Sequence, residues 1–500
     1  MNSTLIYFLL SIPFITVILG SKIRNDNQKY VVKSISYTSY LSIVIVLYSM
    51  ELIDELSLVY TISIILLAWP ISLYTEKYTV LNRYPSYLPL FIDLFSLSMI
   101  TAYLSPNILG LITAWTIAEL IGFILIGLGE QHSIEGSTRA SQNFLFISAL
   151  TFELSIFTLT YIVMTTLTFI LGATSSLEAL TIPFWILAKN KIEVPSILAS
   201  LLIIGFIAKS GLVPLHFWLP SAHSVAPSPA SSLLSGVMTA MGVYGLLRIN
   251  MIIETDLQPL IYVLLTISLI SILYGGLQAH MQRDGKKLLA YSTIAGNGFS
   301  MILLTYYIYT GDIDVLIALI VSILAHMSYK ATFFLDIGLA EQITGFRYIH
   351  RLRGLASTLP ISTLGGLLAF LSIIGVPPTT GFTSKLLSIL LTISRFPDPL
   401  VLGIFISIIL FIVFSIIIGL DYVKIYFGKP SIKLDQRKTL LEKNLLQQYC
   451  VLFVGLTNIL FTLSILLFNR FTSYVIIYIL ASPLLLVLVY LINNVMRRET

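Results

Sequence analysis

Apolar stretches long enough to cross a lipid bilayer recur along almost the whole chain, and this feature constrains the fold more than any other. A helix needs about 20 consecutive apolar residues to span the hydrocarbon core. Charged residues make up only 11% of the 500 positions, whereas a water-soluble domain carries about 25%. The runs are continuously apolar rather than alternating, which excludes transmembrane strands. The sequence therefore predicts an all-α polytopic membrane protein.

Polar interruptions divide the chain into about 14–15 predicted transmembrane helices. The first run has no basic segment before it and no cleavage site of small residues after it, so we interpret it as a retained helix rather than a signal peptide. The predicted spans are 4–20, 31–50, 56–75, 88–104, 107–128, 142–172, 196–218, 227–249, 258–280, 288–310, 313–339, 360–392, 400–427, 448–468 and 472–493.

Basic residues are strongly biased towards alternate connections. The odd-numbered connections and the C-terminal end hold 21 of the 29 Lys and Arg residues, and the even-numbered connections hold 5. Because basic residues concentrate on the cytoplasmic side, the sequence predicts an N-terminus outside and a C-terminus in the cytoplasm. Topology then explains the net charge of +5 without nucleic-acid binding.

Several kinds of chemistry lack the residues that they need. Cys450 is the only cysteine, so the chain supplies neither a disulfide nor the ligands of an iron–sulfur cluster. The sequence contains no Gly-rich phosphate loop and no His-Glu-Xaa-Xaa-His zinc motif. We expect no metal, no cofactor and no redox active site in this chain, which leaves open whether it is a subunit of an enzyme.

Among the charged residues inside predicted spans, three lysines and one glutamate are the candidates for ion transport: Glu119 in span 5, Lys209 in span 7, Lys330 in span 11 and Lys385 in span 12. His326 precedes Lys330 by four residues, so both project from one helix face. Each such charge at mid-bilayer costs about 2.5–3.5 kcal/mol on insertion scales. One alternative is a purely structural role, with lysines that reach the interface. We favour a proton relay, because a buried lysine–glutamate pair exchanges protons when a neighbouring charge moves.

Helix-breaking residues lie beside two of these lysines. Breaks at membrane depth line a cavity or are buried in protein, and a pair at equivalent points of two halves is typical of inverted-repeat transporters. We therefore predict two inverted five-helix repeats, spans 4–8 and 9–13, in which helices 7 and 12 are broken. The predicted breaks are Gly211, Pro214, Pro377, Pro378 and Gly381.

These repeats define the predicted domain organisation. Residues 1–85 form spans 1–3, residues 86–250 the first repeat and residues 256–427 the second. Residues 428–500 form a cytoplasmic linker and spans 14 and 15.

Several short motifs, which follow one another in a fixed order along the chain, resemble those of a known family. They are DELS at 54–57, AKSGLVPLHFWLPSAH at 208–223, KLLAYSTI at 287–294, HMSYKA at 326–331, RLRGL at 351–355, GVPP at 375–378 and GFTSK at 381–385. Together they resemble the antiporter-like subunits of respiratory complex I, group 4 membrane-bound hydrogenases and Mrp-type cation/proton antiporters. The resemblance covers roughly residues 54–427.

The resemblance implies roles for individual positions. Lys209 corresponds to a central span-7 lysine that pairs with a span-5 glutamate. Lys330, with His326 beside it, corresponds to the lysine that links two half-channels, and Lys385 to the position from which protons leave. A polar axis is then expected along the membrane midplane from Glu119 to Lys385.

Two positions depart from the family pattern. Thr116 stands where the span-5 glutamate is expected, and Glu119 lies three residues later. That offset is close to one helical turn, so Glu119 is still predicted to face Lys209. Ala240 stands in span 8 where many relatives carry a lysine, so a relay from Lys209 to Lys330 would depend more on water or on His326.

The resemblance leaves three hypotheses for function. The first is a proton-translocating subunit of a complex I-like or membrane-bound hydrogenase-like complex in a prokaryotic plasma membrane. Its partners would be antiporter-like paralogues and a quinone-site or hydrogenase-type subunit, with quinone, flavin or iron–sulfur clusters only in partner subunits. The second is a subunit of an Mrp-type sodium/proton antiporter. The third is a scaffold paralogue that no longer transports ions.

Overall fold

The structure, a computed structural model, describes residues 3–129, 136–170, 180–189, 191–254, 258–429 and 444–466. The chain divides into two compact units, Met1–Leu260 and Ile261–Thr500. Helices make up nearly all of the regular structure in the described part of each unit.

The first unit contains twelve helices and two very short strands in its described part. Two single π-helical turns, at Phe144–Ala149 and Leu234–Met238, each connect two consecutive α-helices of this unit. The strands β1 (Ile192–Glu193) and β2 (Ile253–Glu254) pair in parallel. The helices are α1 Ser3–Gly20, α2 Asp26–Ser49, α3 Glu55–Leu81, α4 Leu88–Leu104, α5 Ile108–Gly127, α6 Ser137–Asn143, α7 Leu150–Ile170, α8 Phe184–Lys189, α9 Ser196–Lys209, α10 Trp218–Val225, α11 Ser228–Leu233 and α12 Thr239–Ile252.

The second unit is entirely helical where the structure describes it. Its long helices are capped in the expected way: Asp284 and Asp312 accept hydrogen bonds at the N-termini of α14 and α15. Gly311 and Gly345 end the same helices in the left-handed conformation. The helices are α13 Gln258–Met281, α14 Gly285–Thr310, α15 Ile313–Thr344, α16 Leu355–Thr358, α17 Pro360–Ile374, α18 Thr380–Ile393, α19 Pro399–Val423 and α20 Leu445–Leu466.

The described helices match the predicted spans. Ten of them are long and apolar enough to cross a membrane, and five shorter apolar helices have 10–17 residues. Each predicted span from the first to the fourteenth coincides with a helix, a pair of helices or helices joined by a π turn. The fifteenth, at 472–493, and most of the 428–443 linker lie outside the described residues. The all-α polytopic membrane fold is confirmed.

In the first unit, an ion pair connects the start of α3 to the C-terminal half of α12. Arg248 is 3% exposed and forms a two-pronged ion pair with Asp54, the N-cap of α3. It also donates hydrogen bonds to Ser57 Oγ (2.7 Å) and Tyr244 OH (2.9 Å). Although burial opposes ionisation, the Arg248 guanidinium holds the pKa of Asp54 below its usual value.

Asp54→Asn is therefore expected to lower the stability of the purified protein by about 1 kcal/mol, a value kept small because the Asp54 side chain is 44% exposed. A lowered pKa contributes stability that is complete above the ordinary Asp value and is lost as the pH falls through the lowered value. Thermal unfolding in detergent at neutral and acid pH measures both effects. Identical midpoints for variant and wild type at neutral pH would contradict the prediction.

Candidate functional site

Lys209 is the last residue of α9, at a break in the seventh predicted span. The sequence predicts Lys209 deep inside a span at 196–218, whereas α9 ends at Lys209 itself. Gly211 has a φ of +64°, a conformation that favours glycine, and Pro214 has no N–H to continue the helix. The chain resumes as a helix at Trp218, whose Nε1 donates to Ala208 O at 2.9 Å.

Lys209 and Glu119 form a buried ion pair. Lys209 Nζ lies 2.6 Å from Glu119 Oε1, and the two side chains are 0% and 3% exposed. The geometry agrees with the expectation that a glutamate displaced by one turn still faces Lys209. Removing one member of such a pair leaves an uncompensated buried charge, which costs about 3–5 kcal/mol. Neither member can therefore be removed alone without leaving a buried charge unpaired where α5 meets the end of α9.

Aromatic rings surround the Lys209 ammonium. Its Nζ lies 5.3 Å from the ring centre of Phe144, 5.9 Å from that of Trp115 and 6.0 Å from that of Phe152. Trp115 and Phe152 stack with their centres 4.1 Å apart. Ring faces attract cations, more strongly where water is excluded. The cage stabilises the charged lysine while excluding water from most of its surface.

Helices α9 and α12 approach closely beside Lys209. A Cβ on Gly242 would lie 2.2 Å from Ser210 Oγ and 2.7 Å from Phe206 O. Ala240, two residues earlier on α12, is 2% exposed and supplies no ionisable group. The position at which the family resemblance predicts a lysine is thus buried and uncharged in this chain.

A second carboxylate lies near the pair. Thr116 donates to Glu153 Oε1 at 2.9 Å, and Glu153 is near enough for its side chain to influence both Glu119 and Lys209. The residue that replaces the expected glutamate therefore holds another acid from α7. Sequence analysis missed this contact because it joins two helices that are distant in sequence.

In the second unit, Lys330 and His326 both face α14. Lys330 Nζ donates to Leu289 O at 2.8 Å and to Ser292 Oγ. His326 Nδ1 lies 3.1 Å from Tyr329 OH, and a Cβ on Gly296 would lie 2.4 Å from that nitrogen. The two residues share a helix face, as their spacing predicts, and Gly296 makes room for the imidazole.

Lys385 lies against the end of the other broken helix. Its Nζ donates to Ile373 O at 2.5 Å and to Ser415 Oγ at 2.6 Å. Ile373 is next to the last residue of α17, where unpaired carbonyl oxygens and the helix dipole favour a positive charge. Gly375 ends α17 with a φ of +83°, and a Cβ there would lie 2.8 Å from Lys385 Cδ.

The predicted breaks in the second unit fall at slightly different positions. Pro377 and Pro378 lie between α17 and α18, whereas Gly381 lies inside the first turn of α18. A Cβ on Gly381 would lie 1.9 Å from Ser372 O. Gly381 therefore permits close packing of the two half-helices rather than breaking the chain.

The three lysines have two kinds of environment. Lys209 has a carboxylate partner, whereas no ion pair of Lys330 or Lys385 occurs within the described ranges. Their ammonium groups are held by hydroxyl and carbonyl oxygens. Such a lysine loses a proton without leaving a carboxylate unpaired, which suits a relay. The polar axis that would join Glu119 to Lys385 crosses from one unit to the other and stays a prediction.

In the part of the chain that the structure describes, no group of three or more His, Cys, Asp or Glu side chains is placed to hold a metal ion. The chemistry that the described residues offer is that of proton or cation exchange at buried lysines and carboxylates. Sequence analysis missed one further charged cluster, formed by Lys33, Glu76 and Asp93. The sequence feature from which this cluster could have been predicted is Asp93, the only charged residue in the fourth predicted span.

Comparison with known proteins identifies related chains. The family model for the NADH:quinone oxidoreductase/Mrp antiporter transmembrane region matches residues 105–412. One Na(+)/H(+) antiporter subunit, from Alkalihalophilus pseudofirmus, is 28% identical over 351 residues, which cover 67% of this chain and 41% of that protein. NADH-quinone oxidoreductase subunit M of Rickettsia typhi is 32% identical over 188 residues, 37% of each chain. The chain spans less than half the length of the curated relatives that it matches.

A solved structure shares the fold. A chain of the Mrp complex from Dietzia sp. DQ12-45-1b superimposes with a TM-score of 0.70 at 17% identity, and the match covers 92% of this chain and 94% of that one. The likeness extends beyond the residues that the family model matches.

Proposed function

Because the chain belongs to the NADH:quinone oxidoreductase/Mrp antiporter transmembrane family, we propose that it translocates protons as an antiporter-like subunit of a complex I-like or membrane-bound hydrogenase-like complex. Its reaction is the movement of ions, and no electron passes through the chain. The redox step belongs to partner subunits, in which quinone, flavin or iron–sulfur clusters would be bound.

The buried Lys209–Glu119 pair supports this proposal most directly. Lys209 lies at a helix break and Glu119 inside α5, and both side chains are almost fully buried. Each stabilises the charged form of the other, so withdrawing or neutralising one changes the proton affinity of its partner. A charge that arrives from a neighbouring subunit would open the pair, and closing it would return the proton.

Lys330 and Lys385 supply the remaining proton-carrying groups. Each has only neutral oxygen partners among the described residues. His326 lies on the same face as Lys330 and binds Tyr329 OH, so an imidazole is available beside the lysine. We assign translocation to Glu119, Lys209, His326, Lys330 and Lys385.

The energy for transport would come from partners. Each charge moved against 100 mV requires about 2.3 kcal/mol. The proposed partners are antiporter-like paralogues and a quinone-site or hydrogenase-type subunit in the plasma membrane of a prokaryote. The positive-inside bias supports an outside N-terminus and a cytoplasmic C-terminus. The proposed repeats at 86–250 and 256–427 are supported by the helix breaks beside Lys209 and Lys385.

An Mrp-type sodium/proton antiporter subunit is the alternative. The match to the A. pseudofirmus antiporter subunit covers more of this chain, at 67%, than the match to the R. typhi subunit M, at 37%. In this alternative the driving force is an ion gradient rather than electron transfer.

Purification of the native complex tests the proposal. We expect a tagged chain to bring with it iron–sulfur proteins together with a quinone-site or hydrogenase-type subunit, and the reconstituted complex to acidify or alkalinise vesicles when electron donor and acceptor are added. Small antiporter subunits alone, with proton movement driven by a sodium gradient, would favour the alternative. An assembled complex that moves neither ion would contradict both.

A further inference from the structure

A linear chain of ion pairs lies in the first unit, outside the residues that the family model matches. Its members are Asp26, Lys29 and Lys33 on α2, Glu76 on α3 and Asp93 on α4. The three residues of α2 lie three and four positions apart, so they occupy one helix face. Neither Glu119 nor Lys209 is part of this chain of ion pairs.

The charges alternate in sign along the chain. Lys29 Nζ lies 3.7 Å from both Asp26 and Glu76. Lys33 Nζ lies 2.8 Å from Glu76 Oε1 and 2.8 Å from Asp93 Oδ2. The order is therefore Asp26, Lys29, Glu76, Lys33, Asp93, and each lysine lies between two carboxylates.

The same order runs from water into the protein interior. The exposed fractions of the side chains are 76% for Asp26, 26% for Lys29, 13% for Glu76, 8% for Lys33 and 1% for Asp93. Ion pairs that only held α2 against its neighbours would not require side-chain exposure to fall steadily along the series. This decrease instead gives a continuous route for charge from solvent to a buried carboxylate.

A cavity reaches the inner part of the chain of ion pairs. Its volume is about 30 Å³, and exposed Ser21 and Ser86 line it together with buried Lys33 and Asp93. A volume above about 15 Å³ holds a water molecule where polar partners are present. The α1 residues at the cavity, Val17 and Gly20, and Ser21 after them carry no ionisable side chain. Water from the surface therefore has access to the carboxylates.

Tyr37 closes the inner end. Its hydroxyl donates to Asp93 Oδ1 at 3.1 Å, while Lys33 also donates to Ser72 O at 3.2 Å. Asp93 is thus held on one side by a neutral donor and on the other by a lysine. This arrangement keeps the carboxyl group in place in either protonation state.

The chain of ion pairs has three acids and two bases, so one carboxylate always lacks a lysine of its own. We propose that it is a proton-uptake site, in which one proton from water neutralises that unpaired carboxylate and is passed inward to Asp93. The side of uptake is that of the first and third connections, which the positive-inside bias assigns to the cytoplasm.

Each step exchanges partners and conserves protons. When Asp26 carries the proton, Lys29 pairs with Glu76 and Lys33 with Asp93. A shift of Lys29 to Asp26, with transfer of the proton through water to Glu76, leaves Glu76 neutral. A shift of Lys33 to Glu76, with transfer of the proton through water to Asp93, then leaves Asp93 neutral. No lysine loses its proton, and the net charge of the five groups stays at zero while the bound proton moves inward.

The inference that protons bound at this site are then used for translocation rests on the proposed function. Water access to the site and proton binding at the site do not depend on it. Asp93→Asn keeps the shape of the side chain but leaves two acids and two bases, so no unpaired carboxylate remains. We expect proton uptake by the complex to fall by about tenfold or more, the effect of removing a proton-transfer group. Asp93→Glu should restore most of the uptake.

Asp54→Asn is the matched control, because it breaks a partly buried ion pair of the same unit outside the chain of ion pairs. Its uptake per assembled complex should equal that of wild type, although its thermal stability falls. Wild-type uptake in Asp93→Asn, alongside loss of uptake in Lys209→Met, would overturn this inference and leave the proposed function intact.

Infrared difference spectra of the wild-type complex on a pH change give a readout that does not need transport. We expect a protonated-carboxyl band that is absent in Asp93→Asn and present in Asp54→Asn. If the wild-type complex moves no protons, the proposed function fails, and this band alone then tests whether Asp93 binds a proton. A spectrum unchanged by Asp93→Asn would overturn proton binding at Asp93.

Discussion

Replacing Lys209 with methionine is expected to abolish proton translocation while the complex still assembles. Methionine fills a similar volume among the rings of Trp115, Phe144 and Phe152, but it carries no proton. Glu119 is then left without its partner at 2.6 Å, and a buried unpaired carboxylate becomes neutral rather than ionised. A loss of about 100-fold or more in rate is the expected size. Proton uptake by reconstituted vesicles, per amount of assembled complex, measures it.

Two further variants make this result specific. Lys191→Met removes an exposed lysine of the same unit and should transport like wild type. The double variant Glu119→Gln/Lys209→Met replaces both charges and should recover thermal stability without recovering transport. Unchanged transport in Lys209→Met would instead identify the chain as a scaffold.

The second large effect is expected at Gly381, where alanine should prevent assembly or destabilise the complex strongly. The added Cβ would lie 1.9 Å from Ser372 O, a backbone atom of α17. The two half-helices on either side of Pro377 and Pro378 must separate to accept it, and overpacking of this kind costs about 1–3 kcal/mol or more. Yield of assembled complex and its thermal midpoint measure the effect.

Gly127→Ala provides the matched control with the opposite sign. Among the described residues, a Cβ on Gly127, at the end of α5, would meet only Ser141 Oγ at 3.9 Å. Alanine is better than glycine in a helix by about 1 kcal/mol, so this variant should be neutral or slightly more stable. Equal stability of the two variants would show that α17 and α18 are not packed as closely as described.

Local features explain what could be predicted about the helices. Continuous apolar runs locate helices because lipid leaves the backbone no other hydrogen-bond partners. Gly211 and Pro214 end α9 through their own backbone properties, and the four-residue spacing of His326 and Lys330 places both on one helix face. These inferences needed no knowledge of the neighbouring helices, apart from the exact position of Lys209 at the helix end.

The chain of ion pairs from Asp26 to Asp93 was not predicted, for a reason that applies to helix ends generally. The second span was predicted to begin at residue 31, so Lys33 counted as a basic residue near the membrane surface. The structure begins α2 at Asp26 and buries Lys33 between Glu76 and Asp93. Hydropathy averages over many residues and does not register which carboxylates on other helices face a lysine.

The order of residues was enough to establish a helical membrane protein and to identify Lys209, Lys330 and Lys385 as charges that need compensation. Those conclusions follow from the transfer of residues into lipid, which depends on composition and local order. The family resemblance already implied that Glu119 faces Lys209, and the packed helices show the contact itself. The pairing of Thr116 with Glu153 became evident only from the structure. The two members of the ion pair are 90 residues apart, and an interaction at 2.6 Å depends on how α5, α7 and α9 pack, which no local pattern specifies.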